Sequence, residues 1–152
     1  MIRGFQEVEK DQIKHRAIKT VLPRRATNES AGYDLHSKES IVMYPNQIHK
    51  FTTDVKAYML SDEKLSIYTR SGNGSKRGIK VRNQVGIIDA DYYENEDNDG
   101  NIIVCLENTG DQPFEVNIGD KIAQAIFTNY LITDDDNPVK QKRTGGLGHT
   151  GK

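Results

Sequence analysis

Apolar residues along this chain come in short clusters, and within many clusters they alternate with polar ones. Asp54-Val-Lys-Ala-Tyr-Met-Leu60 and Lys64-Leu-Ser-Ile-Tyr-Thr69 show the alternation clearly. A period of two marks a strand with one buried face. Further β-rich runs are Glu39–Tyr44, Gln47–Phe51, Ile79–Arg82, Val85–Ile88, Ile102–Leu106, Phe114–Asn117 and Ile122–Phe127. Turn chemistry separates them, at Pro45-Asn46, Asp62-Glu63, Gly72-Asn-Gly74, Asp99-Gly100, Thr109-Gly-Asp111 and Gly119-Asp120. Many short strands at regular spacing predict an all-β sandwich, barrel or jelly roll. Helical spacing is expected only in short turns around Lys10–Arg16 and Ser75–Arg77.

The length of 152 residues suits one domain with a tail. The body is expected to run over 1–132. After Ile132 come Thr-Asp-Asp-Asp-Asn-Pro and then a basic, glycine-rich end, so 133–152 reads as a linker and arm with little to bury. Net charge is −1, from 21 Lys+Arg against 22 Asp+Glu, which argues against a coat for nucleic acid. A small anionic ligand needs only local positive charge and stays open. A single cysteine, Cys105, makes neither an intrachain disulfide nor a thiolate zinc cluster, and points to a reducing, cytoplasmic compartment. Met1–Glu7 lacks the apolar stretch of a signal peptide, and no run has the length of a membrane span.

Three constellations could carry chemistry. In the tail, Gly145, Gly146, Gly148 and Gly151 can bring bare backbone N–H groups to an anion, with Lys142 and Arg143 adding charge. Read alone, the same composition describes a disordered tail. In Arg70-Ser-Gly-Asn-Gly-Ser-Lys-Arg-Gly78, an Arg and a Ser leave a strand into a glycine-rich turn, without the spacing of a Walker A loop. Solvated cations on a hairpin turn are the plainer alternative. In Val85-Gly-Ile-Ile-Asp-Ala-Asp-Tyr-Tyr93, Asp89 and Asp91 follow an apolar strand end, and one of them could hold a water as general base. A polar loop with half-buried tyrosines fits that segment equally well. The acidic stretch Glu94–Gly100 approaches a calcium loop, but Leu106 stands where the bidentate Glu belongs and the flanks read as strands; only a weak surface cation site stays open. His15, His36, His49 and His149 lack zinc-ligand spacing.

Taken in order, five segments resemble the motifs of the homotrimeric deoxyuridine triphosphate nucleotidohydrolases: Ala31-Gly-Tyr-Asp-Leu35, Arg70-Ser-Gly72, Asn83-Gln-Val-Gly-Ile-Ile-Asp-Ala-Asp-Tyr92, Ile118-Gly-Asp-Lys-Ile-Ala-Gln124 and Arg143-Thr-Gly-Gly-Leu-Gly-His-Thr-Gly151. Each is weak alone; five in order are specific. The resemblance implies a jelly roll that assembles as a trimer with active sites between subunits, one subunit's arm closing a site made by its neighbours. It implies hydrolysis of dUTP to dUMP and pyrophosphate with Mg²⁺ on the triphosphate, which keeps uracil out of DNA and supplies dUMP for dTTP synthesis. It makes Asp89 the residue that activates water, and Asp34 the carboxylate that reaches the metal through water. Arg70, Ser71, Gly72 and Gln124 match phosphate-binding positions. Asn83, Gly86 and Ile88 match a hairpin that reads uracil, and Tyr92 the aromatic beneath the deoxyribose. Arg143, Gly146, Leu147, Gly148, His149 and Thr150 match the closing arm.

Four features depart from the family pattern. Thr69 replaces the usual Pro before Arg-Ser-Gly, a change expected to alter loop stiffness. Leu147 replaces the Phe that stacks on uracil. The arm is one residue shorter between Arg143 and Gly145 than in many members, so Lys142 could share the arginine's role. The Glu94–Gly100 loop exceeds the usual short turn. The compact, divergent arm leans toward phage or prophage origin. Two other readings stand beside the enzyme: a dCTP deaminase of the same fold, which would use a Glu base in place of the Asp89/Tyr92 arrangement, and a regulatory module that binds a protein partner through its added loop or N-terminal segment.

Overall fold

In the computed structural model, residues 1–138 and 143–146 are described. They form twelve strands and one short α-helix: β1 Gly4–Glu7, β2 Arg24–Arg25, β3 Tyr33–His36, β4 Ile41–Met43, β5 Ile48–Thr52, β6 Val55–Tyr58, β7 Glu63–Tyr68, α1 Ser71–Arg77, β8 Ile79–Val81, β9 Gly86–Asp89, β10 Ile103–Asn108, β11 Phe114–Val116 and β12 Lys121–Asn129. The fold is the expected all-β type. Its strands lie in a five-stranded sheet ordered β2-β3-β12-β7-β9, a three-stranded sheet β5-β10-β8, and two pairs, β11-β4 and β1-β6. All the ladders are antiparallel.

One core joins these sheets. Leu35, Leu65, Ile67, Ala123 and Ala125 from the large sheet share one buried cluster with Phe51, Val81, Val104 and Leu106 from the three-stranded one and with Met43, Phe114 and Val116 from the β11-β4 pair. The alternation that predicted the strands is the alternation that fills this core. In β10 it is perfect, with Val104, Leu106 and Asn108 buried between less buried neighbours. In β6 it breaks: Val55, Lys56 and Ala57 are all buried. Something must therefore cover the polar face of β6, and the acidic loop after Tyr93 does so. Lys56 Nζ lies 2.9 Å from Asp99 and 3.4 Å from Glu94, over the Tyr93 ring. The loop's carboxylates thus serve a buried ammonium. Among the described residues no cluster of ligands could hold a metal ion.

Two local predictions change. The helical turn expected at Ser75–Arg77 is the end of a seven-residue α-helix that also takes in the Gly72–Gly74 stretch expected as a turn; it is closed by Gly78 in the left-handed region (φ 68°) with Lys76 and Arg77 in its last turn. The segment around Lys10–Arg16 forms turns. Its backbone is pinned at Lys14 and His15, whose N–H groups donate to buried Asp54. No helix of the described residues is long and apolar enough to cross a membrane.

Candidate active site

The residues singled out in the sequence gather in two places. The first lies where β3, β12 and the start of α1 meet. Asp34 on β3 stands opposite Gln124 on β12, so both side chains leave the same face of the sheet. A bulge between Lys121 and Ala123 resets β12: Ile122 and Ala123 both enter the core, and Lys121 turns toward Asp34. Asp34 is 6% exposed, and both of its oxygens are taken. Arg70 Nε donates to Oδ1 at 3.1 Å, and Lys121 Nζ lies 2.7 Å from Oδ2. Arg70, drawn to Asp34, places Ser71 and Gly72 at the start of α1 beside a cavity of about 390 Å³. Gln124 and Gly32 line the same cavity. Gly32 packs directly against Gln124, whose side-chain oxygen would have to move if a Cβ were added there. Thr69 has a role of its own: its hydroxyl accepts the Val81 N–H at 2.8 Å and ties the end of β7 to β8.

The second place lies at the other end of β7. The segment holding Asn83, Gly86 and Ile88 is not a self-paired hairpin. β8 pairs with β10, β9 pairs with β7, and Asn83–Val85 crosses between the two sheets through a turn with Gln84 at φ 64°. Gly86 passes close to Ile67; a Cβ would sit 3.2 Å from the Ile67 Cβ. Asp89 ends β9, and a single 3-10 turn, Ala90–Tyr92, follows. That turn takes Tyr92 inward, to 7% exposure, and leaves the Asp89 side chain half exposed. Arg143 arrives from the arm. Its guanidinium donates to both Asp89 and Asp91, at 2.7 Å to Asp91 Oδ1. The Thr144 carbonyl accepts the Asp97 N–H, Gly145 is buried, and Gly146 lies so near the Tyr92 ring that a Cβ would stand 2.7 Å from Cε2. Burial pushes the Tyr92 phenol above its ordinary range, against the opposing effect of a hydrogen bond from Asn98. Leu147, Gly148, His149 and Thr150 lie outside the described residues, as does Lys142.

The sequence reading missed Lys121, the second cation on Asp34, although it lies inside the fourth motif. It also missed Asn95 and Asn98, which bind Tyr92. Their signal was the asparagine-rich turn composition of the acidic loop.

Residues 19–151 match the family model described as dUTPase. The chain is 40% identical to the deoxyuridine 5'-triphosphate nucleotidohydrolase of Lactococcus lactis subsp. lactis, over 99% of this chain and 98% of that protein. The crystal structure of a dUTPase from Streptococcus mutans superposes with a TM-score of 0.74 at 36% identity, covering 86% of this chain and 98% of that one. The dUTPase from phage phi11 of S. aureus, described with a species-specific insert, shares the fold at a TM-score of 0.70 and 20% identity, over 93% of this chain and 97% of that one.

Proposed function

The chain belongs to the dUTPase family, and from that premise we propose that it hydrolyses dUTP to dUMP and pyrophosphate by attack of water on the α-phosphorus. The reaction would keep uracil out of DNA and supply dUMP. The observation that carries the reading is the convergence of Asp89, Tyr92 and Arg143 at one end of β7, although Arg143 lies over fifty residues away in sequence. A half-exposed carboxylate at a rigid strand end can hold a water in line, while the buried aromatic beside it offers a surface to a sugar. A carboxylate engaged by a guanidinium does not take a proton from water. Arg143 must therefore leave Asp89 as the reaction begins, and triphosphate oxygens are the competing partner that draws it away.

The phosphate cavity is the other half. Arg70, the Ser71 hydroxyl and the Gln124 amide, which now donates to the Thr69 carbonyl at 3.2 Å, can all turn donors to a polyphosphate. In a single chain the two halves lie far apart. Asp34 and Asp89 are three strands and four residues apart in one sheet, about 20 Å along it. One nucleotide cannot bridge that span and still place its α-phosphorus at both. This separation supports a site completed by neighbouring copies, a homotrimer on our reading, with 133–152 as the closing arm.

Mg²⁺ fits the donor set in a limited way. Among the described residues, Asp34 is the one buried carboxylate lining the phosphate cavity, and both of its oxygens are held by cations, so it would act on the ion through water. Most ligands would come from the triphosphate and water, as Mg²⁺ prefers. When bound, the ion would neutralise phosphate charge. The test is pyrophosphate release with Mg²⁺ from dUTP, dCTP, dTTP and UTP in parallel. Turnover of dUTP alone is expected. Ammonia release from dCTP, or silence on all four by folded protein, would overturn the reading.

A further inference from the structure

We propose that Asn98, in the loop after Tyr93, is a positioning residue that fixes the Tyr92 ring and so sets the preference for deoxyribose over ribose. This rests on the reading of Tyr92 as the surface beneath the sugar. The loop is built around that ring. Gly100 N–H and Asn95 Nδ2 both donate to Asn98 Oδ1, at 3.1 and 2.9 Å. Two donors leave the amide only one orientation, with its NH₂ toward Tyr92. Asn98 Nδ2 then donates to the Tyr92 hydroxyl at 2.8 Å, and that hydroxyl donates onward to the Asn101 carbonyl at 3.0 Å. Asn95 Nδ2 also donates to the Tyr92 carbonyl at 2.7 Å, while its Oδ1 accepts from the N–H groups of Asp97 and Asn98.

The loop that carries Asn98 is itself anchored. Asp99 holds buried Lys56 and accepts the Glu9 N–H. Gly100 takes a positive φ of 82° where a Cβ would stand 2.8 Å from the Tyr92 carbonyl oxygen. The ring is therefore fixed at its hydroxyl by the loop and approached by Gly146 of the arm. A 2′-hydroxyl is refused by contact with a surface that cannot retreat. An aromatic ring swings about two side-chain torsions, so the restraint that matters most is the one at its far end, where Asn98 acts.

The experiment measures kcat/KM for dUTP and UTP in the full-length protein, in Asn98→Asp, Tyr92→Phe and the double variant, with thermal melts of each. Asn98→Asp keeps the acceptor for Gly100 and removes the donor to Tyr92. Its preference for dUTP over UTP is expected to narrow by about tenfold, the worth of one hydrogen bond. In the Tyr92→Phe background the same change is expected to alter the preference by less than about twofold, because the hydroxyl it acts through is gone. Asn98→Ala repeats the comparison if Asn98→Asp melts early. An unchanged preference in an active Asn98→Asp variant, or equal narrowing in both backgrounds, would overturn the positioning role alone. A folded wild type inert toward dUTP would overturn the functional reading, and this proposal with it.

Discussion

Asp34 and Asp89 occupy the same sheet and carry the same charge, yet they live differently. Asp34 is buried, and its two oxygens are held by Arg70 and Lys121, cations from its own sheet and the adjoining helix start. Asp89 is half exposed at a strand end, and its ion-pair partner comes from the arm. A carboxylate locked between neighbouring cations organises a site. A carboxylate whose partner arrives on a terminal segment can be released to do chemistry. The difference follows from where each strand ends: β3 runs on beside β12, whereas β9 stops and turns.

The same near-isosteric change at each carboxylate sharpens this contrast. Asp89→Asn is expected to lower kcat for dUTP by about a hundredfold to ten-thousandfold, the usual weight of a general base, with the melting temperature nearly unmoved. A kcat within tenfold of wild type would remove Asp89 from the reaction. Asp34→Asn leaves two cations without their anion, but both are more than a third exposed, so solvent absorbs part of the loss. The expected cost is about 1–2 kcal/mol, a fall of roughly 3–6 °C in Tm for a chain of this size. An unchanged melt would show Asp34 to be as free as Asp89.

A third carboxylate bounds the comparison from the structural side. Burial pushes the Asp54 carboxyl up, but the Lys38 ammonium, the N–H groups of Lys14 and His15, and the Asn101 amide together hold it below its ordinary value. Its folded pKa thus lies below the unfolded one, near 3.9. The stability it contributes is complete above that value and is lost as pH falls through the folded pKa. Unfolding free energy measured from pH 7 downward should bend below about pH 4. In Asp54→Asn that bend should shrink and the neutral-pH stability should be lower. An identical acid limb in both proteins would rule this linkage out.

Alternation was enough to find most of the strands, because a period of two with one face in the core leaves little freedom. It passed over β1, β2 and β3, which are two to four residues long, and over Lys56, whose polar face is covered by a loop distant in sequence. The motif residues were legible by type and order, and so was the family, which the relatives bear out. Their grouping was not. That Asp34 pairs with Lys121 depends on a bulge in β12, and that Arg143 meets Asp89 depends on the path of the arm. Sequence by itself determined most of the element types and the chemical inventory, since both follow largely from local side-chain pattern. Tertiary structure decided which charges neutralise one another and which stay available, since that depends on distances between residues far apart in the chain, set by packing and register.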